Sequence, residues 1–309
     1  MILCIDVGGT AVKLGLLDSA GTIRSRDECP VNEDGYKTPI LTTTLRAADA
    51  FLADQLSEGE PLKGVAVSAT GQVDDQRGIV IGTNGAIPGY EGTNFKEAFE
   101  KMYHVPTHVL NDANAAVLGE TFFGAGLGYR EVVMVTLGTG VGGGVVAGGR
   151  LIRGHRGIAG ELGHFSIDRE GIPCTCGNRG CFERYASTTA LMAMARETLG
   201  ADAPKDGREL FRRVEQGENT LQQILSTWLD HIAVGIIGLS HIFNPEIVLI
   251  GGGVSRQERL LIQPLRERVN HGLMPRFSEG FCLEAARLGN DAGMMGALKF
   301  WMEQERESI

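Results

Sequence analysis

The chain has 309 residues, 43% of them hydrophobic, so it can bury a large core, and its length favours two domains over one. Its formal net charge of −9, with no run rich in Lys or Arg, weighs against nucleic acid or an anionic membrane as a partner, because both call for a basic surface. The most apolar helical stretch, residues 232–243, is interrupted by Ser240 and His241 and falls short of the roughly 20 residues of a membrane span. The N-terminus enters a strand at once, with no basic region, long apolar segment or small-residue cleavage site, so the expectation is a cytoplasmic protein.

In chain order, apolar residues 2–5 predict a strand that runs into Asp6-Val7-Gly8-Gly9-Thr10 and then a second strand over 11–17. A turn at 18–21 and a third strand complete an antiparallel meander. Helical spacing follows over 40–56, a strand over 64–68, a Gly/Asn/Pro-rich loop around 83–92, a helix over 94–103 and a strand over 107–110. Asn111-Asp112 can cap the Ala-rich helix 113–123.

The plan then repeats. Strand 132–137 meets Gly138-Thr139-Gly140-Val141-Gly142-Gly143-Gly144, a strand over 144–147 follows, and another strand pattern occupies 150–153. A loop-rich section, 154–180, gives way to helices over 188–199, 207–215 and 221–243. Strand 247–250 feeds Gly251-Gly252-Gly253, with helices over 257–271 and 293–302 around a last strand near 281–285. A duplicated strand, glycine turn, strand unit followed by α/β elements predicts a two-lobed α/β protein with an interlobe cleft.

Glycine lets backbone N–H groups face a ligand with no Cβ in the way, so both turns can cradle phosphate oxygens. Residues 138–143 also match G-x-G-x-x-G, but that dinucleotide fingerprint needs a helix straight after it, and an apolar strand follows here. No G-x-x-x-x-G-K-[ST] occurs. Either turn alone could be an ordinary hairpin; the pair, with Asp6 and Thr10 on one and Thr139 on the other, favours a nucleotide.

Asp6-x-Gly8-Gly9-Thr10-x-x-Lys13, Asn111-Asp112-Ala113-Asn114-Ala115 and Gly138-Thr139-Gly140-x-Gly142-Gly143-Gly144 together resemble the ROK family of bacterial sugar kinases and repressors, within the hexokinase/actin-like ATPase superfold (ribonuclease H-like). The resemblance runs nearly end to end. It implies a small lobe over 1–120, joined by a C-terminal helix at about 293–309, and a large lobe over 121–292. It further implies ATP with Mg²⁺ at Asp6, Gly8, Gly9, Thr10, Lys13, Gly138, Thr139, Gly140 and Gly142, with Gly252 and Gly253 against adenosine. Asp6 can equally be a turn acceptor, and Lys13 a solvated strand residue.

His164, Cys174, Cys176 and Cys181 supply the Cys3His set of a closed structural zinc site, and Gly177 and Gly180 let the chain fold back onto one ion. Three loop thiols that happen to be close, or a labile Cys174–Cys181 disulfide, remain the alternatives. Cys4, Cys29 and Cys282 have no partners at useful spacing and read as small core or surface residues.

On the residues alone, Asp112 is as readily an N-cap as a catalyst. The family resemblance implies that it is the general base for a sugar hydroxyl. It also implies sugar contacts at Glu161, His164, Glu183, Asn84 and Asn111, with Gly71 a further candidate. The family often has Asn-Leu-Pro-Gly-Trp where this chain reads Asn84-Gly85-Ala86-Ile87-Pro88-Gly89-Tyr90, which leaves the exact hexose open. The resulting expectation is a hexose 6-kinase favouring glucose, with N-acetylmannosamine or N-acetylglucosamine as alternatives, and by resemblance a homodimer. A non-catalytic sugar-sensing regulator is the rival of another class, but family repressors carry an N-terminal helix-turn-helix, and the phosphate turn here begins at residue 6.

Overall fold

The computed structural model describes residues 1–57, 59–83, 85 and 87–307. The chain divides into two compact units, Met1–Gly128 with Leu151–Gly160 and Leu288–Ile309, and Tyr129–Arg150 with Glu161–Arg287.

The first unit contains β1 (Ile2–Val7), β2 (Ala11–Leu17), β3 (Ile23–Pro30), α1 (Ile40–Gln55), β4 (Gly64–Ala69), β5 (Gln72–Asp74), β6 (Ile79–Gly82), α2 (Phe95–Tyr103), β7 (Thr107–Asn111) and α3 (Asp112–Phe123). The second contains β8 (Val132–Leu137), β9 (Val141–Ala147), β10 (Arg150–Leu151), α4 (Glu183–Ala186), α5 (Thr188–Leu199), α6 (Gly207–Glu215), α7 (Asn219–Phe243), β11 (Ile247–Gly251), α8 (Gln263–Gly272), α9 (Pro275–Ser278) and β12 (Cys282–Ala285). Helix α10 (Ala292–Glu307) belongs to the first unit.

The two main sheets have the same plan. Strand order is β3-β2-β1-β4-β7 in one and β10-β9-β8-β11-β12 in the other, and in each a central strand pairs antiparallel with its successor and parallel with the strand on its other side. This is the ribonuclease H-like order of the hexokinase/actin-like fold.

In the first sheet the period-2 alternation of β1 sends Leu3, Ile5 and Val7 to a core with Ile40, Phe51, Phe95 and Phe99, and Ile2 and Cys4 to a second core with Met294 and Leu298 of α10. In the second, Ile247, Val248, Leu249 and Ile250 are all fully buried, as a central parallel strand covered on both faces should be. Helix starts follow cap chemistry: Asn94, Asn111, Ser187 and Asp206 each accept a hydrogen bond from a backbone N–H of the first turn.

Several boundaries differ from the sequence reading. The loop after β4 contains a β5-β6 hairpin, which is too short to show a clear alternation. The strand expected over 150–153 is only two residues long, Arg150–Leu151. Helix 257–271 begins with a π-helical turn, Glu258–Ile262. Among the described residues no helix is long and apolar enough to cross a membrane.

Helices α3 and α10 touch backbone to backbone. A Cβ on Gly296 would lie 1.6 Å from the Ala115 carbonyl oxygen, and one on Gly119 would lie 2.3 Å from that of Ala292. Backbone cannot yield as a flexible side chain can, so Gly296→Ala is expected to lower stability by roughly 3 kcal/mol, the upper part of the overpacking range. Urea unfolding checks this; a wild-type midpoint would show that the helices separate freely.

Candidate active site

In the first unit, Asp6 is the next-to-last residue of β1 and is flanked by residues that strand register delivers: Lys13 opposite it on β2 and Ser68 beside it on β4. Lys13 Nζ is 3.0 Å from Asp6 Oδ2, and Ser68 Oγ donates to Asp6 Oδ1 at 2.8 Å. Lys13 is thus an ion-pair partner rather than a solvated strand residue. The Gly8-Gly9-Thr10 turn is held at three points: Gly8 N–H donates to the Ala11 carbonyl, Val31 N–H to that of Thr10, and Tyr36 Oη to that of Gly9.

The same unit carries the Asn111-Asp112 pair. Asn111 is the cap: its Oδ1 accepts from Asn114 N–H at 3.0 Å, while its Nδ2 donates to the Gly71 carbonyl at 2.7 Å and to Asp112 Oδ1 at 3.0 Å. Gly71 (φ 89°) has no room for a Cβ, which would lie 2.8 Å from the Gly82 carbonyl oxygen. Because Asn111 does the capping, Asp112 is the first residue of α3, with Oδ1 accepting from Ala113 N–H at 2.8 Å. Burial and the neighbouring Asp6 charge push its carboxyl up to about 6, against the opposing hydrogen bonds of Ala113, Thr70 and Asn111. Asn84 lies outside the described residues.

In the second unit, Gly138, Thr139 and Gly140 form the turn between β8 and β9, and Gly142 already lies in β9, paired with Thr136. Thr188 at the start of α5 donates from N–H and Oγ1 to the Gly138 carbonyl, and Thr189 Oγ1 donates to that of Thr139. Gly252 (φ 89°) sits so close to the end of β8 that a Cβ would be 2.1 Å from the Leu137 carbonyl oxygen, whereas Gly253 faces open space. The glycine turn and the turn after β11 are therefore adjacent.

Glu183 meets the same turn: its Oε2 accepts from Val141 N–H at 3.0 Å and would clash with any Cβ on Gly140. Residues 163–167 zip onto 180–183 through Glu183 N–H to Gly163, Phe182 N–H to Phe165 and Ile167 N–H to Gly180. That pairing brings Glu161, His164 and Glu183 into one neighbourhood, with His164 Nε2 4.0 Å from Glu161 Oε2.

The other face of His164 meets the thiols. Nδ1 is 3.7 Å from Cys174 Sγ, Cys176 and Cys181 sulfurs are 3.5 Å apart, and all four ligand atoms lie within 4.8 Å of one another. Ligands on a tetrahedral zinc with bonds of about 2.0–2.3 Å are separated by roughly 3.5–3.8 Å, so the set fits that ion with small adjustments.

The sequence reading missed Thr70, Ser68, Thr188 and Thr189. Ser68 could have been found from register with Asp6; the others are brought near by tertiary packing alone.

A family model described as "ROK family" matches residues 2–304. The chain belongs to the ROK family. It is 36% identical to a glucokinase of Thermotoga maritima, with 98% of each chain covered. Its fold matches the crystal structure of a ROK family glucokinase from Streptomyces griseus in complex with glucose and AMPPNP (TM-score 0.80, 31% identity, 98% of this chain and 99% of that one). It also matches a ROK hexokinase from Thermus thermophilus (TM-score 0.83, 30% identity, 99% of each).

A carboxyl that titrates higher in the folded chain than its ordinary 3.8 binds more protons there than when unfolded, so stability falls as pH rises through that window and the cost is complete above about 6. Asp112→Asn is therefore expected to be the more stable protein above pH 6, by up to roughly 3 kcal/mol, with the advantage vanishing near pH 4. Urea titrations of both proteins across that range measure it; a constant difference between them would contradict the raised carboxyl.

Proposed function

We propose that this ROK chain is an ATP-dependent kinase that phosphorylates the 6-hydroxyl of an aldohexose, with glucose favoured. The observation that carries the reading is the hydrogen bond from Val141 N–H to Glu183, which joins a carboxylate suited to vicinal hydroxyls directly to the glycine turn suited to phosphate. Its likeness to a glucokinase seen with glucose and AMPPNP supports the same pairing of ligands.

In this reading Asn111, Glu161, His164 and Glu183, with Asn84 and Gly71, hold the sugar. ATP phosphates lie on the turns at residues 8–10 and 138–142, and adenosine at Gly252 and Gly253. The 6-hydroxyl oxygen attacks the γ-phosphorus, the bond to the ADP oxygen breaks, and the hydroxyl proton passes to Asp112 late in a loose transition state. A carboxylate raised to about 6 is a stronger base than a solvated one and still ionised at neutral pH. Mg²⁺ bound with ATP neutralises phosphate charge, and Asp6 would hold it through water. Each Asp6 oxygen retains a lone pair beyond its bond to Lys13 or Ser68, so its donor set fits that ion.

Zinc held by His164, Cys174, Cys176 and Cys181 would be structural, since four protein ligands leave no open position. Its contribution would be to fix the segments bearing Glu161 and Glu183. A homodimer is the assembly we propose; Val234 and Ile242, 52% and 71% exposed on one face of α7 with Gly238 between them, give it an apolar surface.

With a panel of aldohexoses and ATP, kcat/KM is expected to be highest for glucose against its 2-acetamido analogues, and to fall below pH 6 with unit slope as Asp112 takes up a proton. Asp112→Asn should reduce kcat by about 10³-fold or more with little change in glucose KM. Wild-type turnover by that variant would remove Asp112 from the chemistry, and highest kcat/KM for N-acetylmannosamine would reassign the sugar. Metal analysis should find one zinc per chain, absent in Cys176→Ser together with a lowered Tm; full occupancy in that variant would refute the ligand set.

A further inference from the structure

The segment Leu151–Gly160 leaves the second unit at β10, packs with the first unit, and returns at Glu161. It is a closed loop: Ala159 N–H donates to the Arg153 carbonyl at 3.1 Å, so its two feet are adjacent. Each foot is fixed by a buried side chain of the first unit. At one, Arg153 Nε is 3.1 Å from Oδ2 of Asp75, whose side chain is 3% exposed, and the guanidinium lies 5.6 Å from the centre of the Phe300 ring. At the other, Asn114 Nδ2 donates to the Ala159 carbonyl at 3.2 Å. The crown of the loop closes down on the same carboxylate, for a Cβ on Gly157 would sit 3.1 Å from the Asp75 carboxyl carbon.

Both ends of this clamp adjoin residues described above. Asn114 is two residues beyond Asp112, and its N–H is bonded to Asn111. Ala159 is two residues before Glu161. A buried, paired carboxylate is costly to maintain and adds little net stability, and fixing one conformation is a role that such pairs serve in some proteins.

We propose that Asp75, Arg153 and Asn114 are positioning residues for Glu161: by clamping residues 153–159 they fix the stretch of chain that leads directly into the hydroxyl-binding segment 161–164. The inference rests on the kinase reading above for its consequence, and on the geometry of the loop for its cause. Glu161 would touch the sugar but no reacting atom, so displacing it weakens ground state and transition state alike, which raises KM and spares kcat.

The test uses the zinc-loaded full chain. Arg153→Gln alone strands a buried carboxylate and can unfold the protein, so the double variant Asp75→Asn/Arg153→Gln, neutral at both positions, is compared with Asn114→Ala. Both are expected to raise glucose KM about tenfold, with kcat and ATP KM within about threefold of wild type, and to speed backbone hydrogen exchange over residues 159–165 but not in β8. Unchanged glucose KM and unchanged exchange overturn the proposal, as does a parallel loss of kcat, both KM values and Tm, the pattern of a purely structural role. If the wild-type chain phosphorylates no aldohexose, the kinase reading fails separately. Exchange over 159–165 then decides the clamp, with faster exchange in the variants upholding it and unchanged exchange overturning it.

Discussion

The second unit depends on backbone approaching backbone at positions where no side chain fits. Gly252 brings the turn after β11 against the Leu137 carbonyl, and Gly163 brings the segment that carries Glu161 and His164 against the carbonyl of Val141, where a Cβ would be 2.1 Å from the oxygen. Both carbonyls flank the glycine turn at 138–140. The phosphate cradle, the adenosine turn and the hydroxyl-binding carboxylates proposed for that unit are joined by these two contacts, by the Glu183 bond to Val141, by Thr188 and Thr189 on the turn and by the pairing of 163–167 with 180–183. The first unit uses the same device, with Gly296 on Ala115 and Gly293 so near Asp6 that a Cβ would be 2.6 Å from its Oδ1.

Such close packing allows charge to be placed with little freedom. Asp6 has an ammonium and a hydroxyl as fixed partners, while Asp112, nearby in charge terms, is left with neutral donors and a raised carboxyl. Two carboxylates of one unit are thereby set apart in character. One has its two oxygens engaged by Lys13 and Ser68; the other is poised to exchange a proton near neutrality. The separation arises from which backbone and side-chain donors surround each, since their residue type is the same.

Much of this was legible in the residues. The repeated strand, glycine turn, strand unit and the apolar runs gave the duplicated sheet, because alternation and turn chemistry are local. The Cys3His spacing gave the cluster, because a chain of that length with Gly177 and Gly180 can fold back on itself. Boundaries failed where local signals were weak, as at the short β5-β6 hairpin and at β10, which is two residues long where four were expected. Asn111 and Asp112 could not be told apart as cap and catalyst, because both side chains can accept from the first turn; Asn111 takes the role by also reaching the Gly71 carbonyl, a contact 40 residues away.

By itself, then, the sequence determined the fold class, the two phosphate-type turns, the family and the metal-type cluster, all of which are written in spacings of a few residues. Tertiary structure alone decided that Lys13 neutralises Asp6, that Thr188 and Thr189 brace the second turn, that Glu183 bonds to it, and that Arg153 is pinned by Asp75. Those are contacts between separate elements, from paired neighbouring strands to segments 50 or more residues apart. They depend on register, on burial and on the absence of a Cβ at particular glycines, none of which a linear pattern of residue types encodes.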